Sequence, residues 1–537
     1  MGRRTFLAGL TGLAGLGATL VACAAPETRE AGVTSPAARR GRVTLSWPAD
    51  TGYPSPFAFS PVGPGGVVKL MLAYDTLTWK DRRGVIPWLA ERWSVAADGR
   101  SYTFTIRDGV RFHDGTALTA EDVAFTFGYF ARFPFKWTST TVVERAEAID
   151  GRTVRIGLAA PHAPFLEDIA GGVPILPRHV WEPVGDPLAF RGAGATVGSG
   201  PFAFVSYADG RGEYLYRAQD QHFGGRPAIS ELAYVLVPDA QRTIALQTHA
   251  ADLFLATEYE LVTAFANGEP YKVFTTPGLS VMRLILNVDR APLSNVQVRQ
   301  AIAYALDRGD IAARVTHAPD VIVGSAGLIP PDGRWASPTV RRYPFDPSRA
   351  RALLDGAGLV DRDGDGFREL PGGAPLTLDL IANPAIPDAG LVVAQLRDAD
   401  LRVRIVSGDA KTRTDLQQRR AFHLALTSHI GIGGDPDFLR LWFSGAATNA
   451  FAYGDGLHSA RFDTVAALQA REQDPAMRRA QVAELQDILA AELPTLPLYY
   501  RRFYFVYDPR AWDRWSNTAG GIMNGIPLID NKLAFLD

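Results

Sequence analysis

Alternation of apolar and polar residues marks most of the strands in this chain. Residues 43–47 alternate as Val-Thr-Leu-Ser-Trp, and Tyr102, Phe104 and Ile106 fall on one face of a second segment. Asp98-Gly99, just before that segment, is a turn pair that joins two hairpin strands, and Asp114-Gly115 is another. Residues 143–158 alternate on both sides of Asp150-Gly151 and predict two more strands. Residues 173–177 read as the end of a strand leading into a short helix at His179. Further strands are expected at 202–207, 213–218, 231–237, 251–254, up to Asn287, and at 376–381, 401–406, 422–426 and 496–506. Helical spacing appears over 67–78, 239–249, 349–358 (closed by Gly358) and 463–493. Thr119 with Asp122 three residues on resembles a capping box. Ser294 is placed to cap a helix whose buried face is Val298, Ala301, Ile302 and Ala305. Strands and helices interleave throughout, which predicts a mixed α/β chain of several domains.

The first residues follow a different rule. Arg3-Arg4 precede a stretch without charge from Thr5 to Ala22, the pattern of an export signal. The arginine pair followed by Phe6-Leu7 resembles a twin-arginine signal, with general secretory export as the alternative. Leu20-Val21-Ala22-Cys23 resembles a bacterial lipobox, in which the cysteine thiol takes the lipid. Residues 24–42 are rich in Ala, Pro and charge without apolar periodicity, as expected of a flexible tether. Beyond them no apolar run approaches the roughly 20 residues that span a bilayer.

Composition narrows the function by exclusion. Cys23 is the single cysteine of 537 residues, so neither an intramolecular disulfide nor a cysteine-ligated cluster can form within one chain. Lys and Arg number 55 against 57 Asp and Glu, a net charge of −2 that offers no excess of positive charge for nucleic acid. The sequence holds no P-loop, no dinucleotide fingerprint in a strand–turn–helix setting, no nucleophile elbow and no zincin helix. His423 and His429, six apart, are poorly spaced to ligate together on one helix, and a structural or isolated role is expected for them. Asp361, Asp363 and Asp365 begin like a calcium loop, but the twelfth position is Gly372 rather than a bidentate Glu. A polar turn is the expectation there, with no catalytic set, cofactor or metal.

A wider resemblance rests on several stretches together. These are 93–123, Gly198-Ser199-Gly200-Pro201, Asn287 with Val298-Arg299-Gln300-Ala301 and Asp307, 343–358, and Gly434-Asp435-Pro436-Asp437. Over about 43–507 the chain resembles the extracellular solute-binding proteins of family 5, the dipeptide, oligopeptide and nickel receptors of ABC importers. The resemblance implies a two-lobed periplasmic-binding-protein fold, type II-like and of cluster C, with a small domain inserted in lobe one. Lobe one would be 43–78, 186–275 and 503–537, the inserted domain 79–185, and lobe two 276–502, after a signal at 1–22 and a tether at 23–42. A monomer on a membrane through its lipid, delivering solute to a permease and ATPase, is the implied arrangement, in the periplasm or at the cell surface.

The solute would sit between the lobes, against aromatic walls and a few polar anchors. Candidate walls are Tyr53, Trp442, Trp512 and Trp515, with Asn524 near the C-terminus; His429, Ile432 and Asp435 line the approach to the Gly-Asp-Pro-Asp turn. In peptide receptors of the family, an aspartate shortly before that turn resembles a partner for the peptide amine. The comparable position here is Ile432, and an aliphatic side chain cannot pair with a buried ammonium. The expectation is a solute other than an ordinary free-amine peptide: an oligosaccharide, a blocked peptide or another medium-sized compound, unless Asp435 or Asp437 serves instead. A secreted hydrolase or a non-transport receptor on the same fold are the competing classes.

Overall fold

A computed structural model describes residues 40–60, 63–256, 259–266, 270–445, 457–523, 525–526 and 528–537. The signal, the start of the tether, Cys23 and Asn524 lie outside the described residues. None of the described helices is long and apolar enough to cross a membrane.

Two large sheets organise the body, Arg40–Asp537. The first has seven strands in the order Lys272–Thr275, Tyr504–Tyr507, Leu253–Ala256, Arg40–Trp47, Ile229–Leu236, Glu213–Ala218 and Phe202–Ala208. Arg40–Trp47 runs parallel to both of its neighbours, and the other pairs are antiparallel. The second has six strands, ordered Ile322–Val323, Thr495–Arg501, Ser280–Leu286, Leu424–Ile430, Leu378–Ile381 and Val403–Val406. A four-stranded antiparallel sheet, Ala90–Val95, Ser101–Ile106, Thr153–Leu158 and Val143–Ala148, shares one apolar core with the seven-stranded sheet. The six-stranded sheet contributes to apolar clusters of its own.

Local chemistry explains the boundaries. Helix Ala120–Arg132 starts where the Thr119 N–H donates to Asp122 Oδ2 at 2.9 Å. The helix expected over 67–78 occupies Gly65–Ala73 and stops there because Gly198 and Gly200 press on its last carbonyls. A Cβ on Gly198 would lie 2.0 Å from the Ala73 oxygen, while the Gly200 N–H satisfies that same oxygen at 2.9 Å.

Several expected elements differ. Residues 173–177 form no strand: Pro174 and Pro177 remove donors, and the Leu176 N–H goes to Thr126 Oγ1 at 2.9 Å instead of a ladder. Asn295, not Ser294, caps the helix Val296–Ala305, its Oδ1 accepting from Gln297 N at 2.9 Å. The helix expected over 349–358 runs Pro347–Gly356, and Gly358 follows it in the left-handed region at φ 77°. The segment 463–493 is two helices, Ala460–Gln469 and Pro475–Glu492, because Asp474 caps the second and Pro475 opens it. The run 496–506 breaks at Arg502-Phe503, and its halves belong to different sheets.

Candidate functional site: the seam between the lobes

That break is one of two places where the chain passes between the large sheets. The other lies between Lys272–Thr275 and Ser280–Leu286, and the two crossings run side by side. The Thr276 N–H donates to the Phe503 carbonyl at 2.9 Å, and the Phe503 N–H returns to Thr276 Oγ1 at 2.9 Å. Arg502 holds the pair down: Nη1 reaches Thr276 O at 3.2 Å, and ion pairs run to Asp320 at 3.3 Å and Asp332 at 3.5 Å. A few residues in paired crossings absorb backbone rotation without disturbing either sheet, which is the geometry of a hinge.

Elsewhere the lobes touch backbone to backbone. Gly520 and Gly525 sit on a turn of the first-lobe segment, anchored by the Ala519 N–H bond to Asp81 O at 3.1 Å. They face Gly433 and Gly431, which follow the strand Leu424–Ile430 of the second lobe. Both turn glycines have left-handed φ, 67° and 77°. A Cβ on Gly525 would lie 2.5 Å from the Gly431 carbonyl oxygen, so the approach requires glycine.

Charge crosses the same seam. Glu167, on the single π-turn Phe165–Ile169, accepts Lys80 Nζ on one oxygen at 2.7 Å and Arg334 Nη2 on the other at 2.6 Å. Burial pushes its carboxyl up, but the two cations win and hold it below its ordinary value. The Ala163 N–H bonds to Ala470 O at 2.8 Å, a backbone link between the four-stranded module and the second lobe. His162 is driven down to about 4 by burial, so it stays uncharged at neutral pH beside Asp437, Arg440 and Arg478.

The sequence candidates divide into groups. His429, Ile432 and Trp442 come together: the His429 ring stands edge-on to Trp442 at 4.3 Å, and Ile432 is buried in the same apolar cluster. The Arg283 guanidinium lies over Trp442 at 4.8 Å. Burial, with Arg283 adding to it, lowers His429 to about 4. Asp435 has its carboxylate gripped by Arg478 at 2.7 and 2.5 Å and by the Asp437 N–H at 2.9 Å. Burial still pushes its carboxyl up. Tyr53 donates to Gly192 O at 3.0 Å and packs on Phe204 and Tyr207. Trp512 stacks on Phe535 and Trp515 meets the same ring edge-on, in the first-lobe core. The structure therefore does not bring Tyr53, Trp512 or Trp515 into the His429–Trp442 group.

Sequence reasoning missed Lys80, Glu167, Asp168, Arg283, Arg334 and Arg478. Only Arg283 carried a local signal, as one charge inside the otherwise apolar strand Ser280–Leu286, buried at every position. The acidic turn also gains a member: Glu369 joins Asp361, Asp363 and Asp365, with ligand atoms within 4.8 Å of one another. Glu369 already accepts from the Arg362 N–H at 2.7 Å, and Asp365 meets Arg402 at 2.5 Å.

Known proteins with the same pattern supply the context. The family model for bacterial extracellular solute-binding proteins, family 5 (middle), matches residues 84–451. The Di/tripeptide-binding protein 4 of Pseudomonas aeruginosa is 30% identical over 489 residues, 84% of this chain and 86% of that protein. The Dipeptide-binding protein of Escherichia coli is 32% identical over 305 residues, 51% of this chain and 55% of its own length. The crystal structure of NikA from Brucella suis in complex with Fe(III)-EDTA superposes with a TM-score of 0.80 at 24% identity, covering 92% of this chain and 99% of that one.

Proposed function

Because the chain belongs to the bacterial extracellular solute-binding proteins of family 5, we propose that it is the receptor of an ABC importer that captures a peptide-like or other medium-sized solute. The observation that carries this reading is the paired crossing at Thr276 and Phe503, set against a seam of bare glycine backbone and opposite charges. Solute between the lobes adds contacts that only the closed form makes, and so shifts the equilibrium toward closure. The closed form then presents a surface from both lobes to the permease, and the ATPase drives release. Function is binding, and no chemistry on the solute is required.

The lobes run 43–78, 186–275 and 503–537 for the first, 79–185 for the inserted module and 276–502 for the second; the changes of sheet between Thr275 and Ser280 and between Arg501 and Tyr504 support the two crossings, whereas the strand Thr78–Asp81 straddles the start of the module. Cys23 carries the lipid that holds the receptor, as a monomer, beside its permease, after twin-arginine or general export. The peptide names of the relatives favour a peptide-like solute. A second reading, an oligosaccharide or metal chelate, is favoured by Ile432, which puts an aliphatic side chain in the apolar cluster before the Gly434-Asp435 turn.

Native mass spectrometry of the protein purified from its own host tests the reading. A retained solute, with a thermal shift from the matching class among peptides, sugars and metal chelates, is expected. Bare mass and no shift from any class would contradict it.

A further inference from the structure

Positive and negative residues are nearly balanced along this chain, 55 against 57. Arginines of the second lobe commonly sit beside acids: Arg351 meets Asp400 at 3.4 Å, Arg404 meets Asp379 at 2.5 Å and Arg461 meets Glu484 at 2.6 Å. One stretch departs from that rule. Residues 333–345 hold Arg334, Arg341 and Arg342 and no acid, and Arg349 follows shortly after. Arg334 is taken by Glu167. Arg341, Arg342 and Arg349 are exposed, and among the described residues none of the three guanidiniums meets a carboxylate.

Two buried rings gather these cations. The Arg341 guanidinium lies over Tyr343 at 5.0 Å and that of Arg349 over Tyr304 at 4.7 Å, and the two tyrosine rings meet at 5.1 Å. Burial pushes the Tyr343 phenol up to about 12, and Arg341 and Arg349 both act against that rise, so both cations stand near one ring. Phe345 lies between them in the chain and is 51% exposed. The acids close by are already engaged. Asp346 Oδ1 accepts the Arg349 N–H at 2.9 Å and caps the helix Pro347–Gly356, Glu492 meets Arg299 at 3.3 Å, and Asp355 meets Arg368 at 2.5 Å. The stretch 341–349 thus carries three arginines against one acid.

The patch is separate from the group around His429. The helices Val296–Ala305 and Pro347–Gly356 pack Ile302 and Leu354 into the core with Leu284 and Leu378, whereas Ile432 and Trp442 belong to another cluster. Two properties fix the kind of partner. Unmatched positive charge selects an anionic one, and an exposed aromatic among the cations selects one that takes an apolar ring at the same surface. The interface of an anionic bilayer offers both, phosphates for the guanidiniums and the acyl boundary for the ring.

We propose that Arg341, Arg342 and Arg349, with Phe345 among them, form a membrane-contact patch on the second lobe that binds anionic phospholipid. The proposal goes beyond the receptor reading and takes from it only that the protein works at a membrane. The lipid on Cys23 is then one attachment and the patch a second. A body held by one tether is free to turn, and a second contact fixes which face it presents to the bilayer.

The test is co-sedimentation with vesicles, using the chain without residues 1–23, which keeps the compact body Arg40–Asp537 whole. The vesicles are phosphatidylcholine alone, or phosphatidylcholine with an equal part of phosphatidylglycerol. Wild type should bind the anionic vesicles at low salt, release them at high salt and ignore the neutral ones. Each cation near an anionic surface is worth about five-fold in affinity, so Arg341→Gln, Arg342→Gln and Arg349→Gln combined should weaken binding about 100-fold, and Phe345→Ser by a smaller factor. The substituted side chains are exposed, so the combined variant should keep the melting temperature and the solute binding of wild type. Arg39→Gln with Arg40→Gln, at the end of the tether, should keep most of the vesicle binding. No binding to anionic vesicles at low salt, binding unchanged in the combined variant, or a loss confined to the tether variant overturns the patch. Retention on immobilised polyglutamate without vesicle binding overturns it as well, and assigns the surface to an acidic protein. Solute binding is measured separately on the same proteins, so the patch can fail while the receptor reading stands, and the reverse.

Discussion

Gly520 of the first lobe presses on Gly433 of the second so closely that a Cβ on Gly520 would lie 2.5 Å from the Gly433 carbonyl oxygen. The contact is backbone on backbone, in a turn whose φ of 67° also suits glycine. Gly520→Ala therefore meets two penalties. The left-handed conformation costs about 1–2 kcal/mol within the first lobe, and the methyl wedges the seam. The second penalty falls on the closed form alone. Apparent solute affinity should drop on the order of ten-fold, with a larger radius of gyration in scattering. A variant that binds and closes like wild type would show that the seam opens at another place.

Lys69 predicts an unusual pH dependence of stability. Its ammonium is fully buried on helix Gly65–Ala73, over Trp47, Tyr234 and Tyr214 at 4.2, 4.6 and 5.0 Å. Burial lowers its pKa to about 7, against the partial support of Asp530 and Asp50. The unfolded chain binds that proton up to about pH 10.4. The cost of burying the charge is thus complete below pH 7 and fades between 7 and about 10.4. Lys69→Met should stabilise the protein by about 1–3 kcal/mol at pH 6, and the gain should shrink toward pH 9. Thermal unfolding at the two pH values measures it; a gain independent of pH would assign the effect to packing.

The buried pair Asp75–Lys532 ties the C-terminal segment to the first-lobe core. Lys532 Nζ meets Asp75 Oδ1 at 2.7 Å, and Trp88 Nε1, Ser199 Oγ and His222 Nε2 complete the carboxylate at 2.7, 3.0 and 3.3 Å. Burial alone would raise this carboxyl; Lys532 and His222 hold it well below the usual range. Lys532→Met removes the ammonium and strands the carboxylate, at a cost of about 3–5 kcal/mol. Adding Asp75→Asn should restore part of the loss. Denaturant unfolding of the four proteins in the cycle decides, and strictly additive losses would contradict the coupling.

Ile432 belongs to the apolar cluster with Trp442, Phe443 and Leu439 and is 1% exposed. Placing an acid there should cost about 3 kcal/mol or more of stability, because it would bury a carboxyl among apolar side chains. Ile432→Asp should melt well below wild type and gain no affinity for unblocked dipeptides. Tight peptide binding by a stable variant would show that this position opens onto the solute.

How far the sequence could be read depended on the range of the interactions. Turns at Asp98-Gly99 and Asp150-Gly151, the Thr119–Asp122 cap and the alternating strand 102–106 are local, and the structure has each of them. The break at Arg502-Phe503 is not local: aromatic and aliphatic residues run on both sides of it, and only the change of sheet divides the segment. The seam was less legible still. Glu167 and Arg334 are 167 positions apart, and nothing in either neighbourhood announces the other. The tryptophans gave little information: Trp442, Trp512 and Trp515 are all buried, and only the ring contacts separate Trp442 beside His429 from Trp512 and Trp515 on Phe535.

Small-angle scattering of the tether-free protein, with and without the solute it retains from its host, tests most directly that two lobes close on a ligand. The account predicts a smaller radius of gyration on addition of solute, saturating with the binding isotherm. A radius that does not change while solute binds stoichiometrically would contradict closure as the working motion of this receptor.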